Sequence, residues 1–135
     1  VLEPDLQRFQ QDVLWAQHLV VVAPVWWGAL PARLKGLIDR TFLPGFAFRY
    51  EKGQTFPDQL LKGRSATLLL TLDTPPWYFR LFQGAPAVRQ LDTATLAFCG
   101  FKPVRHHLFG PVIKAEEAQR QRWLERAQAL GSRGA

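Results

Sequence analysis

Residues 18–36, "HLVVVAPVWWGALPARLKG", decide the fold. A valine-rich run stops at Pro24, two tryptophans stand side by side, a glycine follows, and Pro31 opens a helical pattern. A short continuous apolar run bounded by proline is the pattern of a strand buried on both faces, as in a parallel sheet. From Pro31 to about Phe42, residues Leu34, Leu37, Ile38 and Thr41 fall on one side of a helix, and proline suits its first turn. The loop between is the puzzle. Neighbouring side chains on a regular strand point to opposite faces. Trp26 and Trp27 therefore cannot both enter one core, and one of them, or the backbone between them, has another task.

The same alternation continues outward. Residues 4–16 predict an amphipathic helix, with Leu2, Leu6, Phe9, Val13 and Ala16 at three-to-four spacing. Residues 43–64 are an excursion in which Phe46, Phe48 and Tyr50 alternate as if on one face of an extended segment. "SATLLLTL", 65–72, is a second buried strand, and the prolines of "DTPP" end it. A helical turn is expected over 77–82. From Pro86 a helix follows, with Val88, Leu91, Ala94, Thr95 and Phe98 on one face and Gly100 as its C-cap. "KPVRHHLF", 102–109, is a third strand. Residues 115–130 are a last helix with Trp123, Ala127 and Leu130 inward and Gly131 just past its end. Helices alternating with strands imply parallel pairing, helices on both faces and right-handed crossovers, a doubly wound α/β/α domain over residues 1–135. Three strands are few for that architecture.

The 135 residues are 47% apolar and 21% charged, an ordinary globular balance. No apolar run approaches the ~20 residues of a membrane span, and no signal-peptide pattern is present. The single Cys99 excludes an internal disulfide framework. The net charge of +6 is spread along the chain with a modest C-terminal surplus, and no basic stripe alternates with aromatics as single-strand nucleic-acid surfaces do. Such a charge attracts small anions, pyridine nucleotides among them.

Ligands of open parallel sheets sit beyond the C-terminal strand ends. "PVWWGALP" and "DTPPWY" occupy that position, both rich in aromatics and prolines, so a flat, polar-edged ring suits the place. Other chemistries lack their motifs: there is no GxGxxG, GxxxxGK[ST] or HExxH. Cys99 reads as a core residue. His106 and His107 face opposite ways on a strand, and no carboxylate cluster accompanies them or His18, so no metal is expected.

Residues 24–48, "PVWWGALPARLKGLIDRTFLPGFAF", resemble the flavodoxin-like NAD(P)H:quinone oxidoreductase family. The shared features, in order, are a proline with an aromatic pair, the P-A-x-L-K-G helix start, an acidic–Arg pair and the G-F-A segment. "AFCGFKPVR", 97–105, and the Trp123–Leu124 helix are similar as well, so the resemblance covers nearly the whole chain. It implies a five-stranded flavodoxin-like sheet of which the later three strands are here. It further implies FMN or FAD as cofactor, NAD(P)H as hydride donor to flavin N5, a quinone-type acceptor, a homodimer and a cytoplasmic setting.

By the same resemblance Pro24, Val25, Trp26, Trp27 and Gly28 bind the ring edge, mainly by backbone, and Asp73, Thr74 and Pro75 touch the same ring. Trp77 and Phe98 fall in the substrate pocket, Phe48 and Tyr50 reach it from a partner subunit, and Tyr78 is the proton donor. The loop at 73–80 is shorter than in the mammalian members and lacks their glycines and histidine. The family's first strand, Ser/Thr-rich phosphate loop, helix and second strand have no counterpart here. The strand at 19–24 is thus expected to be an apolar edge, and these 135 residues are expected to hold the ring half of the site and to bind flavin weakly. The alternative function is a non-catalytic regulatory or structural subunit of the same fold.

Overall fold

The computed structural model describes residues 1–134. Pro4–Trp15 form α1, His18–Pro24 β1 and Ala32–Thr41 α2. The short β2, Phe48–Arg49, pairs antiparallel with β3, Asp58–Gln59. Ser65–Thr71 form β4, Pro76–Leu81 α3, and Pro86–Leu91 α4, which runs through a π-helical turn, Asp92–Leu96, into α5, Ala97–Cys99. Val104–Phe109 form β5 and Glu117–Ser132 α6.

The main sheet has the order β1–β4–β5 and is parallel throughout, as the helix–strand alternation requires. Register places Val22 beside Leu69 and Leu69 beside His107, which share one face, while Ala66, Leu68 and Leu70 of the other face are buried. That second face carries the main core, closed by Val13 of α1, Val88 and Leu91 of α4, Leu96 and Cys99, with Leu34 and Ile38 of α2 packed against it. On the first face lies α6, whose Trp123 ring meets Phe109 edge-on at 6.1 Å. Trp123, Ala127 and Leu130 are the half-buried stripe the spacing predicts, but no residue of α6 is fully buried. Among the described residues no strand pairs with the outer edge of β1, where Val20 and Val22 are 49% and 70% exposed.

Polar side chains tie the elements together. His18 Nδ1 and Nε2 lie 2.6 and 3.0 Å from the hydroxyls of Ser65 and Thr67, fastening β1 to β4 at its start. The Arg64 guanidinium donates to the carbonyls of Val13 and Leu14, two orphan acceptors at the end of α1.

Two expectations are corrected. The helix after Pro86 is not one α-helix with Ala94, Thr95 and Phe98 inward: Ala94 and Phe98 are exposed, and Leu96 and Cys99 are buried instead. The cause is the π turn, whose i→i+5 bonding accommodates an extra residue. The buried stripe steps from Leu91 to Leu96 and then to Cys99, and Phe98 is released outward. Nor do Phe46, Phe48 and Tyr50 share a strand face. Phe46 sits in a turn against Phe42 at 6.0 Å, Ala47 is the fully buried residue, and only Phe48 enters β2. Gly100 does cap the helix. At φ 114° it adopts a conformation open to glycine, and a Cβ there would lie 2.8 Å from the Lys62 nitrogen.

Candidate active site

The loops after β1 and β4 run side by side, since the Val25 N–H donates to the Thr71 carbonyl at 2.7 Å. Beyond Val25 the chain reverses at once. Trp26 and Ala29 exchange two backbone hydrogen bonds of 3.0 Å each, and the two residues between them, Trp27 and Gly28, have φ of 53° and 74°. This is the signature of a two-residue type I′ turn. Glycine accepts such a φ without cost, whereas tryptophan does not. The turn answers the question of the adjacent tryptophans: neither enters the core. Trp26 is 61% exposed and Trp27 is fully exposed at the tip.

A cleft of about 770 Å³ lies at this C-terminal end of the sheet, lined by Val25, Trp27, Gly28, Asp73 and Thr74 together with Leu72, Phe79, Gln83 and Pro86. Its size falls within the range of small-molecule sites. Among the described residues no hydrogen bond engages the N–H groups of Trp27, Gly28, Asp73 or Thr74. The arrangement is a pocket of mixed apolar wall and unpaired backbone donors, beside an indole held out in solvent.

Five of the predicted binding residues, Val25, Trp27, Gly28, Asp73 and Thr74, thus meet in one cleft. The rest do not line it. Pro24 ends β1 and Pro75 is the N-cap of α3. Trp26 belongs to the turn but has spent its N–H on Ala29, and Val25 has spent its own on Thr71, so these two amides are not available to a ring edge. Trp77 and Tyr78 stand on the outer side of α3. There they form an exposed aromatic cluster with Phe82, Tyr78 stacking on Phe82 at 5.2 Å, and it is Phe79, one residue on, that turns into the cleft wall. Phe48, Tyr50 and Phe98 form a separate cluster, Phe48 lying 5.5 Å from Phe98 and 5.9 Å from Tyr50, away from the cleft residues of their own chain.

Sequence reading missed the fourth wall, Gln83 and Pro86. Nothing in "GAP" signals it, because the residue before a proline is biased toward extended backbone. Ala85 takes φ 45° there, after Gly84 at 71°. Trp27 and Ala85 are the two non-glycine residues with positive φ among those described, and both lie in the loops that border this cleft. Such strain, of order 1–3 kcal/mol each, persists where surrounding structure over-determines it, commonly at ligand sites.

The remaining titratable groups lie elsewhere. Cys99 is buried, and burial pushes its thiol up to about 11. His107 accepts a hydrogen bond on Nδ1 from the Arg126 guanidinium at 3.0 Å, so its proton sits on Nε2. Burial first, then the Arg126 charge, hold its pKa below the ordinary imidazole value. No three His, Cys, Asp or Glu side chains among the described residues converge as a metal site, and no described helix is long and apolar enough to cross a membrane.

The sequence profile of the flavodoxin-like fold matches residues 2–130. The chain belongs to this flavodoxin-like family. Within it, the chain is 27% identical to an uncharacterized NAD(P)H oxidoreductase of Haemophilus influenzae, over 94% of its own length and 62% of that protein's. It is 31% identical to the human ribosyldihydronicotinamide dehydrogenase [quinone], over 96% of its own length and 58% of the other's. The flavodoxin-like chain therefore spans about three fifths of the curated relatives it matches. Among solved structures, Smu.1420 of Streptococcus mutans superposes with a TM-score of 0.83 at 31% identity, covering 92% of this chain and 64% of that one. A cleft beyond the strand ends is where this fold class binds ligands.

Proposed function

We infer that the cleft holds the ring of a flavin, FMN or FAD, and that the protein is an NAD(P)H-dependent oxidoreductase acting on quinone-type acceptors. One observation carries the reading: two adjacent strand-end loops present unpaired N–H groups at Trp27, Gly28, Asp73 and Thr74 around one cleft, beside a fully exposed indole. The edge of an isoalloxazine offers two carbonyl oxygens and two ring nitrogens that accept, with a single donor at N3–H, so backbone N–H groups match most of it. Its faces are apolar, which suits Trp27 and Phe79. The residues present fit the ring.

A bound flavin would supply two-electron redox chemistry between NAD(P)H and the acceptor. The chain does the rest. The type I′ turn fixes the donors, so little ordering is left to the moment of binding. Leu72, Phe79 and Pro86 make a dry wall, and donors on the carbonyl edge favour the charge that reduction places there, more so away from water. Tyr78, the proton donor the resemblance implies, stands outside the cleft stacked on Phe82, so this reading gives it no role at the ring and leaves Phe79 as the α3 residue that faces it. In this reading a homodimer brings Phe48 and Tyr50 of one copy to the substrate side of the other, with Phe98 packed against that same Phe48. Within one chain Phe46 and Phe48 find cover on Phe42 and Phe98, so the case for a partner surface rests on Tyr50 and Phe56, which stay exposed. The names of the relatives agree with the reading, and a cytoplasmic setting is proposed along with it.

The test is spectroscopic. The protein is titrated with FMN and FAD, then given NAD(P)H without oxygen and a soluble quinone. Protein-dependent bleaching of flavin absorbance and its return on adding quinone are expected. Rates equal to those of free flavin under saturating protein would overturn the reading.

A further inference from the structure

The resemblance makes Asp73 a ring contact, but its carboxylate is already engaged. Oδ1 accepts a hydrogen bond from the Ile113 N–H at 2.8 Å, across from the loop after β4 to the loop after β5. One residue earlier the main chains are joined directly. The Leu72 N–H donates to the Phe109 carbonyl and the Val112 N–H donates to the Leu72 carbonyl, both at 3.0 Å. The two chains run so close that a Cβ on Gly110 would stand 2.4 Å from the Leu72 oxygen. Past Asp73 comes Thr74-Pro75-Pro76, and the prolines have no N–H to continue the pairing. The Asp73 carboxylate adds one last rung where the backbone can add none.

The structure assigns Asp73 a positioning role: its carboxylate fastens the cleft loop, residues 73–75, to residues 110–113, and makes the loop after β5 part of the site's frame. This rests on the reading of the cleft as a flavin-ring site and revises one residue in it. A carboxylate facing the ring's carbonyl oxygens would repel them. Bound to Ile113, the same carboxylate is turned to use as an anchor, and the loop meets its ligand through the unpaired N–H groups of Asp73 and Thr74. Leu72 and Asp73 both line the cleft, so any slack in the rung is felt there.

Two substitutions and two readouts test this. Asp73→Ala removes the rung. Asp73→Asn keeps a side-chain carbonyl that accepts the same bond while losing the charge. In the ligand-free protein, amide hydrogen exchange at Ile113 should speed by about tenfold in Asp73→Ala, the size of one lost exposed hydrogen bond, and by clearly less, within about threefold of wild type, in Asp73→Asn. FMN affinity, read by flavin fluorescence, should follow the same order, with Asn rescuing what Ala loses. Unchanged Ile113 exchange in Asp73→Ala would overturn the clamp. So would an Asp73→Asn protein that keeps Ile113 protected yet loses FMN as fully as Asp73→Ala, because the carboxylate would then be a direct contact. A wild-type protein that binds no flavin overturns the flavin reading instead, and the Ile113 exchange still decides the clamp.

Discussion

Gly28 rests on Pro86: a Cβ at position 28 would lie 3.2 Å from Pro86 Cγ, and the glycine holds φ at 74°. The turn after β1 and the turn before α4 therefore meet at a point where only hydrogen fits easily, and both border the same cleft. This contact fixes the distance between two of its walls.

Gly28→Ala should accordingly destabilise the protein by more than about 1 kcal/mol, since the residue must both adopt a disfavoured φ and push on Pro86. Gly36→Ala is the control. Gly36 lies inside α2, has no atom within 4 Å of a would-be Cβ, and should gain about 0.5–1 kcal/mol. Chemical denaturation of the two variants gives both signs. Equal small losses would show that the Gly28–Pro86 contact is not a constraint.

Trp27→Asn tests whether the strain at the turn serves binding. Asn-Gly is the favoured pair for a type I′ turn, and an exposed tryptophan there gains nothing from the core. The variant should be more stable by about 1 kcal/mol in thermal unfolding, while its affinity for FMN falls. A Trp27→Asn protein that is less stable than wild type would mean that the indole packs usefully in the folded chain.

The turn also shows what sequence could and could not supply. The three strands of the sheet were legible because an apolar run with proline at its end has few other uses, and β1, β4 and β5 lie within a residue or two of the predicted stretches. The parallel order followed from the helices between them. The loop chemistry was legible only in part. "WWG" announces that something other than a strand is needed, but the exchange of hydrogen bonds between Trp26 and Ala29 depends on a φ that tryptophan seldom adopts. The phase of the helix after Pro86 was lost to a π turn that no residue type marks. The cleft role of Gln83 and Pro86, and the employment of Asp73 by Ile113, are long-range facts, set by which loops the sheet brings together.

His107 offers a test by pH. Burial and the cations Arg126, Arg105 and Arg80, with His106, oppose its protonation. The folded state thus takes up this proton at lower pH than the unfolded chain does, and stability declines as pH falls below the ordinary imidazole value. The His107 ring should titrate below 6.5 by NMR. Arg126→Leu should raise that value only in part, because burial is the larger cause. A value at or above 6.5 in the wild type would contradict the placement of Arg126 against the ring.

Cys99 should be inert in the folded protein. Its thiol, with a pKa raised from 9.0 to about 11, keeps its proton at pH 8 and should resist a thiol reagent until the chain is unfolded. Because the unfolded chain gives up this proton first, stability should fall as pH rises from 9 towards 11. Rapid native-state labelling at pH 8 would show that the helix end opens readily.

The central claim is that the unpaired N–H groups at the two strand ends receive the edge of a flavin ring. The most direct measurement follows backbone amide shifts of the 15N-labelled protein as FMN is added to millimolar concentration. Saturable shifts should be confined to Trp27, Gly28, Asp73, Thr74 and the 83–85 turn, with the amides of Val25 and Trp26, already bonded to Thr71 and Ala29, moving less. Shifts that saturate elsewhere, or none at these amides in a protein whose spectrum shows it folded, would contradict the account.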